Sequence, residues 1–463
     1  MRMMKRICCC LIATGLLMVS LGWLTDLMER KFSVFKFHNF FDKSKDFDVL
    51  FFGTSHVHNG ILPMELWDDY GIASYNCGGN GNVIPTIYWT MKNTLDYAEP
   101  KLVVIDGYLL NLDIKTNRFS DVHGSMDAFP LNRTKLAAIW DLLHDEKMEE
   151  QIRQGTCADA AERKSLNLLW DFSVYHSRWS ELEKNDFLTE YSKEAGAEAI
   201  YAVAVPDQVP EAAADVCLQG ETAGTEYLGR MIQECKERGI RVLLTYLPFP
   251  AFEEHCKDAN RLYKIAEEYE VPYINFLDEK VVNFETDCYD PNSHLNASGA
   301  RKVTDYLGAY ITEHYDITDH RKEAAYSSWQ EDLDAYQDLK VENLKRWQAL
   351  GVYLMCLSDK DYNVLIETEN PKIWKDKRYH ALFQNIGLDT AQVTEHTDAV
   401  FVEEAGMSAE YFEDFCDWQR FGLNGGMEQD ADLRITVFTK NLMEIADTAV
   451  FILQEDTFIR QTG

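Results

Sequence analysis

Short apolar runs and amphipathic stretches alternate in two separate parts of the chain. The first part has strand-like runs at residues 47–53 and 101–111, a short strand in IASYN before a Gly-rich turn, and a helix-like stretch from Ile84. The alternation returns after a long middle region, where strand-like IRVLLTYLP and VPYINF are separated and flanked by the amphipathic stretches TEYLGRMIQECKERG, AFEEHCKDANRLYKIAEEYE and SGARKVTDYLGAYITEHY. Strands separated by helices predict a parallel sheet with helical crossovers, so the predicted fold class is α/β.

Residues 115–220 interrupt this alternation. An insertion of this size in an open sheet usually lies over the carboxyl ends of the strands, where α/β proteins bind ligands. We therefore expect a mostly helical lid or substrate-recognition region. Its candidates for lining a site, which could instead be ordinary solvated loop residues, are His123, His144, His176 and Arg178.

The pattern changes again from about Tyr326, where a long Trp-containing stretch, SWQEDLDAYQDLKVENLKRWQAL, predicts a helix. GVYLMCLSDKDYNVLIE and LRITVFTKNLMEIADTAVFILQ each place two apolar runs around a polar turn, which predicts two β-hairpins, and AVFVEE predicts a further strand. We expect residues 326–463 to form a smaller C-terminal α+β domain. Since it has no cluster of Ser, His and acid, recognition or assembly is its expected role.

The N-terminal segment predicts a membrane anchor. MRMMKR carries three positive side chains, and Ile7 to Leu24 is an 18-residue run without charge, close to the length of a membrane span. No convincing cleavage site precedes Asp26, so an uncleaved signal anchor is favoured over a signal peptide. The positive-inside rule places the N-terminus in the cytoplasm. The predicted division is an anchor over 1–30, a first folded domain over 31–325 and the C-terminal domain.

Composition narrows the classes of partner. Of 463 residues, 46% are hydrophobic and 12% aromatic, as expected for a packed globular protein. The formal net charge of −32 repels phosphate backbones, so nucleic acid is not expected as a partner. The cysteines show no CxxC and no Cys/His zinc spacing, so neither a metal nor a cofactor is predicted. Their disulfide pairing cannot be deduced from spacing.

Two stretches carry candidate chemistry. DVLFFGTSHVHNGILP places Ser55 directly after the first strand, and DCYDPNSHLNASGARKVTDYLG places Asp290 four residues before His294, between the last strand and a helix. Both stretches are expected at the carboxyl edge of the sheet. A serine hydroxyl becomes a nucleophile when a histidine takes its proton and an acid orients that histidine. Taken singly, the first stretch also fits an ordinary turn and the second a helix cap.

The two blocks together resemble the SGNH/GDSL hydrolase superfamily, and HLNASGARK resembles its membrane-anchored members in bacterial cell-envelope acylation, such as the lipoteichoic-acid D-alanylation and alginate acetylation proteins. The resemblance covers about residues 45–318 and implies a flavodoxin-like three-layer sandwich. It makes Ser55 the nucleophile, His294 the general base and Asp290 the orienting acid. Two departures are the missing acidic residue of GDS and an Asp-to-His spacing longer by one, which leaves Asp287 as an alternative acid.

The resemblance also implies an oxyanion hole. In that superfamily its donors are the N–H of the serine, a Gly N–H from a second block and an Asn side chain from a third. CGGNGN supplies Gly78 or Gly79 for the second block. The candidates for the third block are Asn80, Asn82 and Asn111. The neighbours of the serine, His56 and His58, are candidates for substrate contact or exposed loop residues.

The implied activity is that of a membrane-anchored, extracytoplasmic serine esterase or O-acyltransferase acting on an acylated glycan or related envelope polymer, without a cofactor. A transferase would need a multi-span membrane acyltransferase as a partner, because a single anchor cannot carry an acyl group across a membrane. A plain hydrolase uses the same acyl-enzyme and cannot be separated from it by sequence. The alternative from another class is a non-catalytic SGNH-fold scaffold or glycan-binding protein of an envelope-modification complex.

Overall fold

The N-terminal helix is long and largely exposed. The computed structural model describes residues 2–29, 36–43, 45–170, 172–187, 193–206, 216–290, 294–427, 431–440, 444–454 and 457–461. It opens with α1 (Arg2–Glu29) and α2 (Lys36–Lys43). Among these described residues, one helix stretch, Met3–Thr25 in α1, is long and apolar enough to cross a membrane. That stretch is unburied, which agrees with the predicted anchor in length and composition.

The chain then forms strands and helices in alternation up to the third strand. These elements are β1 (Val49–Phe52), α3 (Ser55–Gly60), α4 (Pro63–Tyr70), β2 (Ser74–Asn76), α5 (Ile84–Thr94) and β3 (Leu102–Asp106). The α4 helix starts on a proline, whose missing N–H costs nothing at a first helical position. It ends at Gly71, which adopts the left-handed conformation that closes many helices. All three strands lie where the apolar runs predict them.

The insertion after β3 is mostly helical in its described part, as predicted. Its elements are α6 (Phe119–Met126), α7 (Arg133–Leu143), α8 (Glu146–Gln154), α9 (Ser165–Leu169), α10 (Phe172–Tyr175) and two 3-10 turns, His176–Ser180 and Lys184–Phe187. Side-chain caps define two of the helix starts. Asn132 accepts the N–H of Lys135 at α7, and Asp145 accepts two N–H groups at α8.

The second run of strands and helices completes a parallel sheet. It comprises α11 (Ala223–Glu237), β4 (Arg241–Tyr246), α12 (Glu253–Glu268), β5 (Tyr273–Asn275), α13 (Phe276–Glu279) and α14 (Ala297–His314). The five strands pair in parallel in the order β2-β1-β3-β4-β5, the flavodoxin-like order. Leu50 and Phe52 face the core formed with α5, α11 and α12, whereas Val49 and Phe51 face the core formed with α14. This three-layer arrangement confirms the predicted fold class.

The C-terminal part forms a second, antiparallel sheet. After a 3-10 turn (Ala324–Tyr326) come α15 (Ser327–Arg346), α16 (Leu350–Cys356), β6 (Tyr362–Thr368), a 3-10 turn (Pro371–Lys375), α17 (His380–Asn385), β7 (Thr397–Glu403), β8 (Ser408–Glu413), a 3-10 turn (Trp418–Phe421), β9 (Leu433–Thr439), β10 (Ile445–Gln454) and β11 (Thr457–Arg460). The strand order is β11-β10-β9-β6-β7-β8. The hairpin predicted in LRITVFTKNLMEIADTAVFILQ is present as β9 and β10.

The hairpin predicted in GVYLMCLSDKDYNVLIE is wrong. Its first apolar run is the helix α16, and only the second run is a strand, β6. Leu350, Tyr353, Leu354 and Leu357 are all buried, and they recur at helical spacing. A short apolar run fits a buried helix as well as a buried strand, so the periodicity alone does not distinguish them.

The α15 helix connects the two cores. Trp329 near its start packs against Trp67 and Phe47 of the first core, and Leu344 near its end belongs to the second core. Lys340 between them is buried and forms an ion pair with Glu65 of α4. The boundary expected near residue 326 therefore precedes a helix that both cores share.

Candidate active site

Ser55 lies at the carboxyl end of β1, where it is the first residue of α3. Thr54 caps this helix, because its side chain accepts the N–H of His56 at 3.2 Å. The strand turns into the helix at Gly53, where a Cβ would lie 2.3 Å from Cγ2 of Val57 and 3.1 Å from Cβ of Asp106. Glycine is thus required for the tight turn that holds Ser55 half-buried at the edge of the sheet.

The structure brings Ser55, His294 and Asp290 together. Oγ of Ser55 lies 2.8 Å from Nε2 of His294, across 239 positions of sequence. On the other side of the imidazole, Nδ1 of His294 lies 2.6 Å from Oδ2 of Asp290. The side chains of His294 and Asp290 are 19% and 29% exposed, so the site is open to solvent on one side. In this geometry the imidazole can take the serine proton while the carboxylate fixes its tautomer.

Asp287, the alternative acid, has other partners. It is fully buried, and its carboxylate accepts hydrogen bonds from Oγ of Ser298 at 2.8 Å, Nζ of Lys302 at 2.6 Å and the N–H of Asn283 at 2.7 Å. Its carbonyl also accepts the N–H of Asn296, at the start of α14. Asp287 therefore holds the base of the loop that carries the other acid and the histidine, and of the two acids it is Asp290 that meets the imidazole.

The Gly-rich turn after β2 packs directly against the serine turn. The N–H of Gly78 donates to Oδ1 of Asn76 at 2.9 Å, and the N–H of Gly79 donates to the carbonyl of Gly53 at 3.1 Å. A Cβ on Gly78 would lie 2.6 Å from the backbone nitrogen of His58. Both candidate N–H groups for the oxyanion hole are thus already hydrogen-bonded, Gly78 to the end of β2 and Gly79 to the turn before α3. They would have to change partners to hold an oxyanion.

The three candidate asparagines differ in burial. Asn80 is exposed, and Asn111 is half-buried with no partner for its side-chain oxygen among the described residues. Asn82 is buried beside Gly79, and its amide exchanges two hydrogen bonds with Oγ of Ser125, at 2.7 and 3.0 Å. Asn82 is therefore the carboxamide fixed against the glycine turn. Nothing in the sequence pattern points to Ser125, which reaches it from α6 of the insertion.

His56 forms part of the wall beside the imidazole of His294. Its ring stacks on Tyr108 at 3.9 Å between centroids and meets the His294 ring edge-on at 5.2 Å. Neither ring nitrogen has a hydrogen-bond partner within the described part of the chain. Burial lowers the pKa of His56 well below its usual value, and the nearby His294 lowers this pKa further. His56 is thus a neutral buried side chain, in contrast to the exposed loop histidine considered from sequence.

Other aromatic side chains surround this histidine pair, and sequence reasoning did not identify them. Phe249 contacts the ring of His56 at 4.7 Å, and Tyr289 stacks on His294 at 5.3 Å. His255, from α12, contacts Phe249 at 4.9 Å. They come from loops and helix starts that follow different strands, so no local motif marks them in the sequence.

His58 joins the serine helix to the segment that returns from the insertion. It is buried, with Nδ1 at 3.2 Å from the carbonyl of Gly196 and Nε2 at 3.2 Å from Glu198. Asn59 beside it donates to the carbonyl of Glu198 at 2.9 Å. Both nitrogens of His58 are thus engaged in protein contacts, in place of the substrate contact considered from sequence.

The candidate side chains of the insertion also have structural partners. Arg178 is buried and donates to the carbonyl of Met28 at the end of α1, with Asp186 at 3.4 Å as its carboxylate partner. His176 is exposed and lies 3.0 Å from the carbonyl of Ser173. Arg178, considered from sequence as a candidate for lining the site, therefore attaches the insertion to α1.

The two further histidines of the insertion have partners of their own. Nδ1 of His123 lies 2.7 Å from Asp127, and the hydroxyl of Tyr175 donates to the same carboxylate at 2.9 Å. His144 is exposed, with Nδ1 at 2.6 Å from the carbonyl of Trp140. Both side chains therefore make contacts local to the insertion.

Asp106 at the end of β3 is a buried acid below the serine turn. Its carboxylate accepts the N–H of Leu247 at 2.8 Å and that of Tyr108 at 3.1 Å. Burial raises the pKa of Asp106 to about 7, because these hydrogen bonds compensate only part of the lost hydration. Asp106 thus links the ends of two strands under Ser55. In the described part of the chain, no group of three or more His, Cys, Asp or Glu side chains is placed to hold a metal ion.

Comparisons with known proteins add little to this geometry. No protein-family model and no curated protein matches the sequence. A solved structure named as an acylhydrolase from Bacteroides fragilis is 11% identical, with a TM-score of 0.28, and the match covers 57% of this chain and 86% of that one. A GDSL-like lipase from Bacteroides thetaiotaomicron is also 11% identical, with a TM-score of 0.26, over 59% of this chain and 89% of that one. Similarity at this level says nothing about chemistry, so an assignment of activity has to rest on the geometry of the site.

Proposed function

We propose that this chain is a serine esterase or O-acyltransferase with Ser55 as its nucleophile. The observation that supports the proposal is the pair of short contacts joining Ser55 to His294 and His294 to Asp290. Nε2 of His294 takes the hydroxyl proton as Oγ attacks the acyl carbon, and the imidazolium then protonates the departing alcohol. Water or a sugar hydroxyl then gives its proton to His294 and attacks the acyl-enzyme, and the imidazolium returns a proton to Oγ as Ser55 leaves the acyl carbon. Asp290 stabilises the imidazolium in both halves of the reaction.

The surroundings of the imidazole suit this cycle. His56 stays neutral at physiological pH because burial lowers its pKa, so it does not repel the imidazolium that forms on His294. The N–H of Ser55 is one donor to the oxyanion, because it belongs to the first turn of α3, where N–H groups have no helical partner. The side-chain amide of Asn82, which Ser125 holds in place, is the other.

The proposed setting is the outer side of a membrane. The α1 helix has the length of a membrane span, and Arg2, Lys5 and Arg6 in its first two turns favour a cytoplasmic N-terminus. The folded part would then act on an acylated glycan or related envelope polymer, as the resemblance of HLNASGARK to envelope acylation proteins suggests. If the acceptor is a sugar hydroxyl, the acyl group must come from a multi-span membrane acyltransferase.

The proposal is tested by replacing the nucleophile. The full chain in detergent should react with a fluorophosphonate probe and hydrolyse p-nitrophenyl acetate, and Ser55→Ala should abolish both activities. Ser408→Ala is the matched control, because Ser408 is an exposed serine on β8 whose hydroxyl bonds Glu403. Unchanged labelling of Ser55→Ala would refute the assignment.

One observation favours a second candidate, a non-catalytic scaffold or glycan-binding protein. The N–H groups of Gly78 and Gly79 donate to protein oxygens, and an acyl-enzyme site that kept this arrangement would lack the Gly N–H expected as an oxyanion donor. A binding protein should leave the probe unreacted at Ser55 and still retain an acetylated polysaccharide on a column. Labelling of Ser55 at a measurable rate would exclude it.

A further inference from the structure

Three large apolar side chains protrude from the insertion where it meets α1. Trp179 is 72% exposed, Phe187 57% and Trp170 46%. They lie in or next to α10 and the two 3-10 turns that come after it. We call these three residues the basal surface. All three belong to the short segment 170–187, whose helix and 3-10 turns contact α1, and exposed apolar side chains concentrated in one part of a surface usually mark a place of contact.

The basal surface belongs to the segment that is attached to α1. The α1 helix contacts α10 and both 3-10 turns. Its last turns are embedded there, since Leu27 and Met28 are buried although residues 3–25 are not. The guanidinium of Arg178 satisfies the carbonyl of Met28, which would otherwise lack a partner at the helix end. A cation at this position also interacts favourably with the helix dipole.

This attachment fixes the depth of the basal surface relative to a bilayer that contains α1. The stretch Met3–Thr25 has 23 residues and spans about 35 Å, against about 30 Å for the hydrocarbon core. Leu27 and Met28 come within roughly 3 to 5 Å of its end along the helix axis. The headgroup region extends roughly 5 to 8 Å on each side of the core. Groups packed on Leu27 and Met28 therefore lie at headgroup depth.

We propose that the basal surface inserts into the lipid headgroup region next to α1, as a second membrane contact of the folded domain. Tryptophan is enriched at this depth because its ring combines an apolar body with a polar N–H. The charged neighbours Glu181, Glu183 and Lys184 have mixed sign, so apolar contact and not attraction to lipid charge is the expected driving force. The inference rests on the proposed membrane insertion of α1 and is independent of the proposed chemistry at Ser55. Two contacts would stop the domain from swivelling about α1.

The test is quenching of tryptophan fluorescence by brominated phospholipid. The full chain is reconstituted in vesicles of plain or dibrominated phosphatidylcholine, and the quenched fraction is compared between variants. Trp179→Phe should lower that fraction, because it removes a tryptophan that the lipid reaches. Trp23→Phe, within the span, should lower it also. Trp418→Phe, in the C-terminal part, is the opposite control and should raise it.

The outcomes separate the possible failures. If Trp179→Phe raises the quenched fraction while Trp23→Phe lowers it, Trp179 lies in water and the proposal is overturned; the same result is expected if a partner protein covers this surface. If Trp23→Phe does not lower the quenched fraction, α1 is not in the bilayer. The proposal is then refuted, because it depends on the membrane insertion of α1. Fluorophosphonate labelling of Ser55 in the same vesicles reports separately on the proposed function. Quenching through Trp179 that persists at 1 M salt would support apolar insertion.

Discussion

Asp290→Asn tests which acid serves His294. The substitution keeps the size of the side chain and removes its charge. An amide nitrogen facing Nδ1 also favours the wrong imidazole tautomer, since both groups are then donors. Because Nδ1 of His294 and Oδ2 of Asp290 are only 2.6 Å apart, the substitution acts on a direct contact. The substitution should therefore lower the rate of the step in which His294 becomes charged.

The size of the effect depends on the exposure of the pair. Two unit charges about 4 Å apart interact by about 4 kcal/mol at an effective dielectric constant near 20. Since Asp290 is 29% exposed, water screens part of this attraction, leaving about 3 kcal/mol. Each 1.36 kcal/mol changes a rate tenfold, so charge loss alone predicts a decrease of roughly 150-fold in kcat. With the tautomer penalty, we expect a decrease of about 150- to 1000-fold.

Asp287→Asn is the matched comparison. The Asp287 carboxylate is buried with Lys302 as its charged partner, so its loss should lower the free energy of unfolding by about 1 to 3 kcal/mol. Its kcat per active site should fall much less than that of Asp290→Asn. Hydrolysis of p-nitrophenyl acetate, normalised by fluorophosphonate titration and measured well below both melting temperatures, gives the comparison. If Asp287→Asn loses as much kcat as Asp290→Asn while still folded, the assignment of Asp290 is refuted.

Three further substitutions test the supports of the site. Gly78→Ala places a Cβ 2.6 Å from the backbone nitrogen of His58. It should lower the free energy of unfolding by about 1 to 3 kcal/mol and lower kcat at least tenfold. Unchanged kinetics would contradict the close packing of the Gly-rich turn against α3. Asp106 has a pKa raised to about 7, so the folded state holds its proton more tightly than the unfolded chain does, and unfolding free energy should fall by at most roughly 4 kcal/mol as the pH rises from 4 to 8. Denaturant titrations of Asp106→Asn should show a flatter dependence over that range. Asn385→Ala, which removes a 2.9 Å bond to Oγ of Ser298, should cost about 1 to 2 kcal/mol and lower kcat several-fold, as melting and ester hydrolysis would show.

The parallel sheet is predictable from sequence because its strands are buried on both faces. Such strands occur as continuous apolar runs, as β1 and β3 do, and amphipathic helices separate them. The C-terminal part is less predictable, since α16 and a strand share the same short apolar pattern. Strand β8 is half exposed. Because neither of its faces is buried, its sequence need not alternate apolar and polar residues, and the pattern does not predict a strand. Burial from two sides is therefore what makes a strand visible in the sequence.

The candidate site also has parts that can be predicted from sequence and parts that cannot. Ser55 and His294 are visible because each directly follows a strand or precedes a helix in a short motif. The wall formed by Tyr108, Phe249 and Tyr289 is assembled by tertiary packing from separate loops, and no spacing within one segment encodes it. The donors of the oxyanion hole are still more difficult to predict from sequence, because every glycine has an N–H. Which oxygen it meets depends on angstrom-scale packing, as the bond from Gly79 to Gly53 shows.

The C-terminal part also has a physical route to the active site. Asn385, at the end of α17, donates to Oγ of Ser298, and its own side-chain oxygen accepts from Nζ of Lys302 at 2.6 Å. Both of these partners bond the carboxylate of Asp287, which anchors the loop that carries Asp290. The C-terminal part is therefore hydrogen-bonded through α17 to the base of that loop, so a shift of α17 would be transmitted to the loop. A ligand that moved α17 would act on the acid and the base together, since one loop carries both.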